Sequence, residues 1–515
     1  QYNTAQGYRA LFSNTTASYN TAVGYQSLYA NTTGIGNNAL GYQALKTNTT
    51  ANYNTAFGHV ALSLNVTGTE NTAVGSQTMY NNTGNNNTAM GGTALYANTS
   101  GANNVAMGVQ ALRYNTTASY NTAVGYQASR DNTTGQQNVF VGGFSGADNT
   151  TGTLNTGIGY SALGANSVDQ TGSYNTALGG FALQNNTTAA ANTAVGYQAL
   201  TTNTTGGDNA AFGYQAAQSN TTGDYLTAIG RQALYNNTTG IDNTAVGYQA
   251  GYSNSTNSYN TYLGDHAGYY TTSTRNTFLG HASGESMTTG ERNTILGRFS
   301  GNLGGLDIRT SSNNIVLSDG DGNPRMLVDS SGSVECFMNA NNNPTIRVKN
   351  TSGSYGSVGI MSDISRTSTG GNYYHIAAYD RAAGAYRFQV HDDGDVVNVN
   401  NSYGSLSDVK LKENIIDASS QWDDIKALTV RKYSMRVDNL DTPNMLGVIA
   451  QEVEAAGMSG LVKETVDRDG EGALLDTVTK QVNYSILYMK AVKALQEAMD
   501  RIEALETKVT ALEGA

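Results

Sequence analysis

A serine followed closely by two lysines has the clearest potential for covalent chemistry in this sequence, in the segment Ser407-Asp408-Val409-Lys410-Leu411-Lys412. A serine hydroxyl becomes a nucleophile when a neighbouring base removes its proton. A lysine can be that base only when it is neutral, so burial must lower its pKa. If Ser407 caps a regular helix, Lys410 lies nearer to it than Lys412 does. Taken alone, these residues are more typical of a helix cap followed by solvated lysines.

Three acids and two histidines form a second group that could do chemistry: Asp265, His266, His281, Glu285 and Glu291. Hydrolysis of a glycosidic bond needs a converging pair of carboxyl groups. The first 300 residues contain only 10 Asp and Glu residues. We therefore interpret this group as loop variation.

A third candidate is the segment Asp319-Gly320-Asp321-Gly322-Asn323, which has the spacing of the first oxygen ligands of a calcium loop. Its twelfth position is Ser330 rather than glutamate, so a hairpin turn is the preferred interpretation. Cys336 is the only cysteine, which excludes an internal disulfide framework and a cysteine-rich metal site. We expect Cys336 to be a small buried hydrophobic residue. The sequence thus predicts neither a metal site nor a cofactor.

A short repeated phrase, exemplified by Asn-Thr-Ala-Val-Gly-Tyr-Gln, organises the first 300 residues. Fourteen of the seventeen intervals between its central glycines are 17 residues, two are 16 and one is 20. These glycines are Gly7, Gly24, Gly41, Gly58, Gly75, Gly91, Gly108, Gly125, Gly142, Gly159, Gly179, Gly196, Gly213, Gly230, Gly247, Gly264, Gly280 and Gly297. A period this short and regular predicts a solenoid whose coils bury apolar surface by stacking on their neighbours.

One coil, residues 20–36, has two short apolar bursts that are too short for helices. Thr21-Ala22-Val23 and Ser27-Leu28-Tyr29 predict two strands per coil, closed by Gly and Asn turns and stacked as parallel ladders. Ala22 and Val23 point to opposite faces, so both faces of the first strand should be dry. One face can point into the coil, and other copies of the chain are the simplest partner for the other. We expect an oligomeric shaft of three chains.

The recurring Asn-Thr-Ala-Val-Gly phrase with its Gly and Asn loop resembles the left-handed parallel β-roll of trimeric autotransporter adhesin heads and of some phage fibres. The resemblance covers about 300 residues. It implies a mainly β fold in which a trimeric parallel β-solenoid forms the shaft.

Composition restricts the possible partners. Residues 1–300 hold 8 Lys and Arg residues against 10 acids, and the acidic excess of the chain lies after them. A basic groove for nucleic acid is therefore not predicted. No apolar run reaches the roughly 18 residues of a membrane helix, so membrane insertion is not predicted either. Asn and Thr supply the polar groups of the repeats, and stacked Asn side chains can form ladders. Because Gln1 begins inside a repeat, we expect a fragment or a processed product.

The period ends near residue 300, and we divide the rest of the chain into four parts. Residues 301–344 predict a β region that caps the solenoid. Residues 345–406 predict a β domain and linker; its Tyr373, Tyr374, Tyr379 and Tyr386 could stack on sugar rings but are more typical of a core. Asp392, Asp393 and Asp395 indicate a turn.

A charged, partly helical module follows, predicted over 407–484, with a coiled coil over 485–515. The coiled coil is indicated by apolar positions spaced alternately by three and four residues. These are Tyr488, Ala491, Leu495, Ala498, Ile502, Leu505, Val509 and Leu512.

The Ser-Asp opening at Ser407, the segment Leu446–Val453 and this helix together resemble the intramolecular chaperone that ends many phage tail fibres and tail spikes, including endosialidases. The resemblance implies a module that trimerises the chain, guides folding upstream and then cuts itself away. It implies cleavage of the Leu406–Ser407 bond with Ser407 as nucleophile and Lys412 as base; Lys410 is the second choice. Such a chain would act as a Ser-Lys endopeptidase that cuts its own backbone once, rather than as an enzyme that turns over a substrate.

The function we expect is that of a structural and receptor-binding homotrimeric fibre of a phage or phage-tail-like particle, located in the virion tail or outside the cell. Its receptor would be a cell-surface glycan or protein. A bacterial trimeric surface adhesin and a glycan-degrading tail spike are the alternatives. The adhesin would end in a β-barrel anchor, and the spike would need a carboxylate pair.

Overall fold

The computed structural model describes residues 2–164, 168–337, 374–380, 385–391, 396–398, 415–433, 445–468 and 474–514. The chain divides into two compact units, Gln1–Ile346 and Arg347–Ala515. We describe each unit by itself.

The first unit is a parallel β-solenoid with one three-residue strand in each of eighteen coils, which confirms the prediction of a mainly β fold with a parallel β-solenoid. Each strand pairs in register with the strand of the next coil; Ala22, for example, lies opposite Ala39. The strands are β1 Thr4–Gln6, β2 Thr21–Val23, β3 Asn38–Leu40, β4 Thr55–Phe57, β5 Thr72–Val74, β6 Thr88–Met90, β7 Val105–Met107, β8 Thr122–Val124, β9 Val139–Val141, β10 Thr156–Ile158, β11 Thr176–Leu178, β12 Thr193–Val195, β13 Ala210–Phe212, β14 Thr227–Ile229, β15 Thr244–Val246, β16 Thr261–Leu263, β17 Thr277–Leu279 and β18 Thr294–Leu296.

The prediction of a second strand in each coil was wrong, because the second apolar burst forms a turn. Gln26 and Leu28 have left-handed backbone conformations, with φ of 52° and 46°. The amide of Leu28 still donates to the carbonyl of Ala44 in the next coil, at 3.0 Å. A left-handed non-glycine residue costs roughly 1–2 kcal/mol. Complete burial of the Leu28 side chain helps to offset this cost.

The interior of the solenoid is filled in most coils by one small and one larger apolar residue, such as Ala22 and Leu28. Where an aromatic residue replaces the strand alanine, glycine replaces the leucine. Phe140 is accompanied by Gly146, and Phe278 by Gly284. The ring of Tyr262 also fills space beside Gly251 of the preceding coil, so neighbouring coils share their volume in a close-packed core.

Buried asparagines form two hydrogen-bonded ladders, inside the coil rather than on its surface. In the first ladder the backbone amide of Asn54 donates to Asn37 Oδ1 at 2.9 Å, and the side-chain Nδ2 of Asn54 donates to the Gly68 carbonyl at 2.8 Å. In the second, Asn48 Nδ2 donates to Asn31 Oδ1 at 2.9 Å. These bonds satisfy polar groups of turns that are shielded from water.

A cap of antiparallel strands ends the first unit. Strand β21 continues the parallel ladder beyond β18 and then pairs with β22, which pairs with β23. Phe299 and Ile308 are buried at the end of the solenoid core. The strands of this region are β19 Asn302–Leu303, β20 Leu306–Asp307, β21 Ile315–Ser318, β22 Pro324–Val328 and β23 Val334–Cys336.

Two sequence predictions concern this cap. The segment Asp319–Asn323 is a hairpin turn between β21 and β22, which was the preferred interpretation over a calcium loop. Asp319 accepts a hydrogen bond from the Asn323 backbone amide at 2.9 Å and pairs with Arg325. Cys336 was predicted to be buried, which was wrong; it is exposed. It lies on the outermost described strand of the cap, where no further element covers it among the described residues.

The described residues of the second unit form small antiparallel sheets, three α-helices and one 3₁₀ helix. Strands β24 Tyr374–Asp380, β25 Ala385–His391 and β26 Val396–Asn398 form one sheet, with Tyr379 opposite Tyr386 in the register. Tyr373, Asp392, Asp393 and Asp395 lie outside the described residues. The elements after residue 414 are α1 Trp422–Ala427, β27 Arg431–Tyr433, β28 Met445–Gly447, α2 Ala450–Ala455, the 3₁₀ helix Ser459–Leu461, β29 Val462–Arg468, β30 Leu474–Val482 and α3 Tyr484–Glu513.

In the parts of the chain that the structure describes, none of the helices has the length and apolar character needed to span a membrane.

Candidate functional site

The predicted cleavage residues Leu406, Ser407, Lys410 and Lys412 lie outside the described residues. The description resumes at Ile415, eight residues after Ser407. The structure therefore defines the elements that follow the predicted cleavage point along the chain.

A small apolar core holds the elements after residue 415 together. The buried residues of this core are Val453 on α2, Met458 and Leu461 in the segment that follows α2, and Leu487 on α3. Ile425 on α1 and Val448 pack against this core. The core thus fixes the short helix α1 and the segment Leu446–Val453 against the first turns of α3.

Gly447 lies where β28 meets α3, within the segment that suggested the chaperone. A Cβ atom at Gly447 would lie 2.6 Å from the Tyr484 hydroxyl oxygen, and the Val448 amide donates to the same oxygen at 3.2 Å. Glycine lets the Tyr484 hydroxyl approach the backbone here, and an added Cβ would have to displace that hydroxyl. Sequence analysis singled out this segment but did not identify Tyr484 as its partner.

Ion pairs link the strands of the module to α2. Arg431 on β27 contacts Glu452 at 2.8 Å, and Lys480 on β30 contacts Glu454 at 2.7 Å and Glu464 at 3.0 Å. Hydrogen bonds that Lys480 donates to Glu454 and Glu464 raise the pKa of Lys480 above its usual value. Lys480 is thus held in its charged form and cannot act as a neutral base near neutral pH.

Three side chains on one face of α3 hold the start of α1. Lys490, Glu497 and Arg501 contact the segment Ser420–Asp424, and we call this arrangement the clasp. Glu497 accepts hydrogen bonds from the Ser420 hydroxyl at 2.6 Å and from the Gln421 amide at 3.0 Å. Lys490 contacts Asp424 at 2.7 Å. The Arg501 guanidinium lies 4.3 Å from the ring centroid of Trp422. The clasp anchors the chain that follows the predicted cleavage point to α3.

Glu497 makes the clasp sensitive to acid. Hydrogen bonds from the Ser420 hydroxyl and the Gln421 amide lower the pKa of Glu497 from its usual value of 4.5, and nearby Lys493 and Arg501 act in the same direction. Because the folded-state pKa lies below the unfolded one, the stabilisation is complete above the unfolded value and is lost as the pH falls through the folded value.

Acid titration of Trp422 fluorescence checks this prediction, since Trp422 is the only tryptophan. We expect constant emission from neutral pH down to the usual glutamate range and a change only below it. Glu497→Gln should remove this transition, while Glu503→Gln on the same helix should leave it unchanged. A transition that persists in Glu497→Gln would contradict the assignment to Glu497.

The other face of α3 presents the predicted apolar seam to solvent. Its exposed fractions lie between 50% and 79%. The residues are Tyr488, Leu495, Ile502, Leu505, Val509 and Leu512. The predicted helix is confirmed over Tyr484–Glu513. The seam residues Ala491, Leu495 and Ala498 line one pocket together with Trp422 and Ile425 of α1, while Ile502, Leu505, Val509 and Leu512 are exposed.

The structure does not bring the acids and histidines of the solenoid into one site. Asp265 pairs with its neighbour His266, and Glu291 contacts Arg292 at 3.4 Å. A search of the described residues finds no group of three or more His, Cys, Asp or Glu side chains placed to hold a metal ion. The interpretation of these residues as loop variation agrees with this arrangement.

Comparison with known families identifies the C-terminal module. Residues 407–463 match the family Peptidase_S74, described as the chaperone of endosialidase. The predicted resemblance is thereby confirmed for this segment. Comparisons with curated proteins and with solved structures give no match. The chaperone match and the solenoid of eighteen coils are together consistent with a tail fibre or spike that carries an intramolecular chaperone.

Proposed function

We propose that this chain is the structural and receptor-binding subunit of a homotrimeric fibre of a phage or phage-tail-like particle, assembled by its C-terminal module. The observation that carries the proposal is the match to the chaperone of endosialidase, which begins at Ser407 and directly follows the shaft and its β domains. The solenoid supplies a stiff shaft, and a cell-surface glycan or protein is the proposed receptor. We also propose that the chain consists of five domains or segments, with boundaries after residues 300, 344, 406 and 484.

The exposed seam of α3 supports trimerisation. A single helix that shows a row of leucine, isoleucine and valine to water is unfavourable until other helices cover the row. Beyond Ile502 the apolar residues of the seam are Leu505, Val509 and Leu512, with Glu503, Glu506 and Lys508 beside them. This pattern is typical of a coiled coil rather than of a helix on a globular surface.

Self-cleavage follows a simple course in this proposal. Ser407 Oγ attacks the Leu406 carbonyl carbon through a five-membered ring, and a neutral lysine, Lys412 or else Lys410, takes the hydroxyl proton. The C–N bond breaks, the Ser407 nitrogen gains a proton, and an ester remains. Water then hydrolyses the ester to the Leu406 carboxylate and a new Ser407 amino terminus. Because the lysine must be desolvated to lose its charge, correct assembly controls the cut.

The clasp supports a link between assembly and cleavage. Glu497 and Lys490 tie the chain after the cleavage point to the helix that carries the trimerisation seam. Association of three seams therefore acts on the same helix that anchors this segment. A module released by the cut would keep its clasp, since the clasp lies entirely after Ser407.

Mass measurement of the expressed chain beside Ser407→Ala tests the proposal. We expect a fragment that begins at Ser407 from the wild type and only the intact chain from Ser407→Ala. Native mass of Ser407→Ala should equal three 54.1 kDa chains. Lys412→Ala and Lys410→Ala separate the two candidate bases, because only loss of the true base should abolish the cut. An identical intact mass in wild type and Ser407→Ala would disprove self-cleavage, and a native mass of one chain would disprove the trimer.

A further inference from the structure

The outward face of the solenoid sheet carries a continuous row of exposed apolar side chains, which we call the apolar stripe. The stripe consists of the third residue of every strand from β2 to β18: Val23, Leu40, Phe57, Val74, Met90, Met107, Val124, Val141, Ile158, Leu178, Val195, Phe212, Ile229, Val246, Leu263, Leu279 and Leu296. The middle residue of each strand points inward and is buried, so the third residue must point outward. Leu40 and Met90, for example, are each 47% exposed.

Other outward positions of the coil do not share this restriction. The residue two positions after the stripe is tyrosine in many coils, but it is His59, Ser76, Gly143 or Arg231 in others. Such variety is typical of a surface that faces water. All seventeen stripe residues are apolar and uncharged, as expected for a surface that is covered in the assembled protein.

The stripe is larger than a monomer normally leaves exposed. Ten of the seventeen side chains are 38–47% exposed and the other seven are half-buried. Together they amount to on the order of 1,000 Å² of apolar surface, against roughly 300–600 Å² for the largest patch of a typical monomer. At about 4.8 Å per coil the row extends over roughly 80 Å. A small ligand or a short peptide would cover only a few coils of it.

We propose that the apolar stripe is the seam along which copies of this chain pack, parallel to one another and with the same coil at the same level. This inference rests on the homotrimer proposed above and names its contact surface in the shaft. A second copy is the partner whose side chains repeat with the same spacing over the same length. Its stripe therefore matches this one coil for coil, and burial of both rows is favourable.

The same level is required because the coils are not all alike. The coils after Gly75 and Gly264 are shortened to 16 residues, and the coil after Gly159 is lengthened to 20. These irregularities lie side by side only when the chains are in register. A shift by one coil would place each irregular coil against a regular one in the neighbouring chain.

Thiol accessibility tests the seam in the full-length chain, with Cys336→Ser as the background. Met107→Cys places a thiol on the stripe, and Thr117→Cys places one on an exposed turn of the same coil as the matched control. In the native protein, we expect a bulky maleimide not to label Met107→Cys and to label Thr117→Cys rapidly. Unfolding in denaturant should restore labelling of Met107→Cys. Oxidation should link two chains of the Met107→Cys variant and should not link chains of the Thr117→Cys variant.

Register is tested by mixing two kinds of chain during assembly. Met107→Cys chains mixed with Leu178→Cys chains should give like-with-like disulfides only. Abundant mixed disulfides would overturn the same-level arrangement.

The outcomes separate this inference from the proposed trimer. Equal labelling of Met107→Cys and Thr117→Cys in a particle with the mass of three chains would leave the trimer intact and overturn the seam. Protection of Met107→Cys in a particle of one chain would overturn both, because another part of the same chain would then cover the stripe.

Discussion

Gly142→Ala is expected to destabilise the solenoid by about 3–5 kcal/mol, whereas Gly143→Ala, one residue later, should change its stability by less than about 1 kcal/mol. Gly142 follows the short strand β9 and has a φ of 135°, which L side chains rarely adopt. A Cβ atom at Gly142 would lie 2.7 Å from the carbonyl carbon of Gly159 in the next coil. Strained φ and backbone overlap therefore act together, and the backbone cannot yield without breaking the ladder.

Gly143 is the matched control because it lies in the same coil but has neither the strained φ nor the close backbone contact of Gly142. Its φ is not in the left-handed region, and the nearest atom to an added Cβ is a Tyr160 ring carbon at 3.5 Å, an ordinary contact. Unfolding of both variants in guanidinium chloride, followed by circular dichroism, checks the prediction. Equal stability of the two variants would contradict the assigned role of the repeated glycine.

Phe140→Ala is expected to cost about 3–5 kcal/mol, because it empties the space of a fully buried ring. Gly146→Leu alone should also destabilise, since a Cβ at Gly146 would lie 2.5 Å from Phe140 Cγ. The double variant Phe140→Ala/Gly146→Leu restores the alanine and leucine pair found in other coils, such as Ala177 with Leu183. We expect it to be more stable than the sum of the single changes predicts, by about 2–3 kcal/mol.

The left-handed backbone conformation of Gly146 does not prevent its replacement by leucine. Gly146 has a φ of 59°, and Leu183 occupies the same place in its coil with a φ of 50°. Chemical unfolding of the four proteins of the cycle gives the coupling energy. Simple additivity would show that the aromatic residue and the glycine do not compensate each other.

Much of the shaft could be predicted from the sequence. The spacing of Gly24, Gly41 and their equivalents determined the parallel solenoid, since a repeat this short can bury its apolar face only against its neighbours. The alanine and valine of each strand indicated which residues point inward and which outward. The apolar stripe, with exposed residues such as Leu40 and half-buried ones such as Val23, is the outward half of that pattern.

The failures have local physical causes. Ser27-Leu28-Tyr29 looks like a strand because its residues are apolar, but periodicity does not report the sign of φ, and Leu28 is left-handed because a tight turn must return the chain to the next coil. Cys336 looks buried by residue type, although its strand lies at the outer edge of the cap. Asn37 looks like a surface residue, yet the turn around it needs a buried donor and acceptor.

By itself, the sequence of the last 109 residues determined the family resemblance, the helix and its apolar seam, because these depend on local order and heptad spacing. Only the tertiary structure decided that Glu497 accepts from the Gln421 amide at the start of α1, that the Tyr484 hydroxyl packs against Gly447, and that Lys480 is held charged between Glu454 and Glu464. Each of these contacts joins residues from separate elements of the module, and no periodic pattern marks such pairs before the chain has folded.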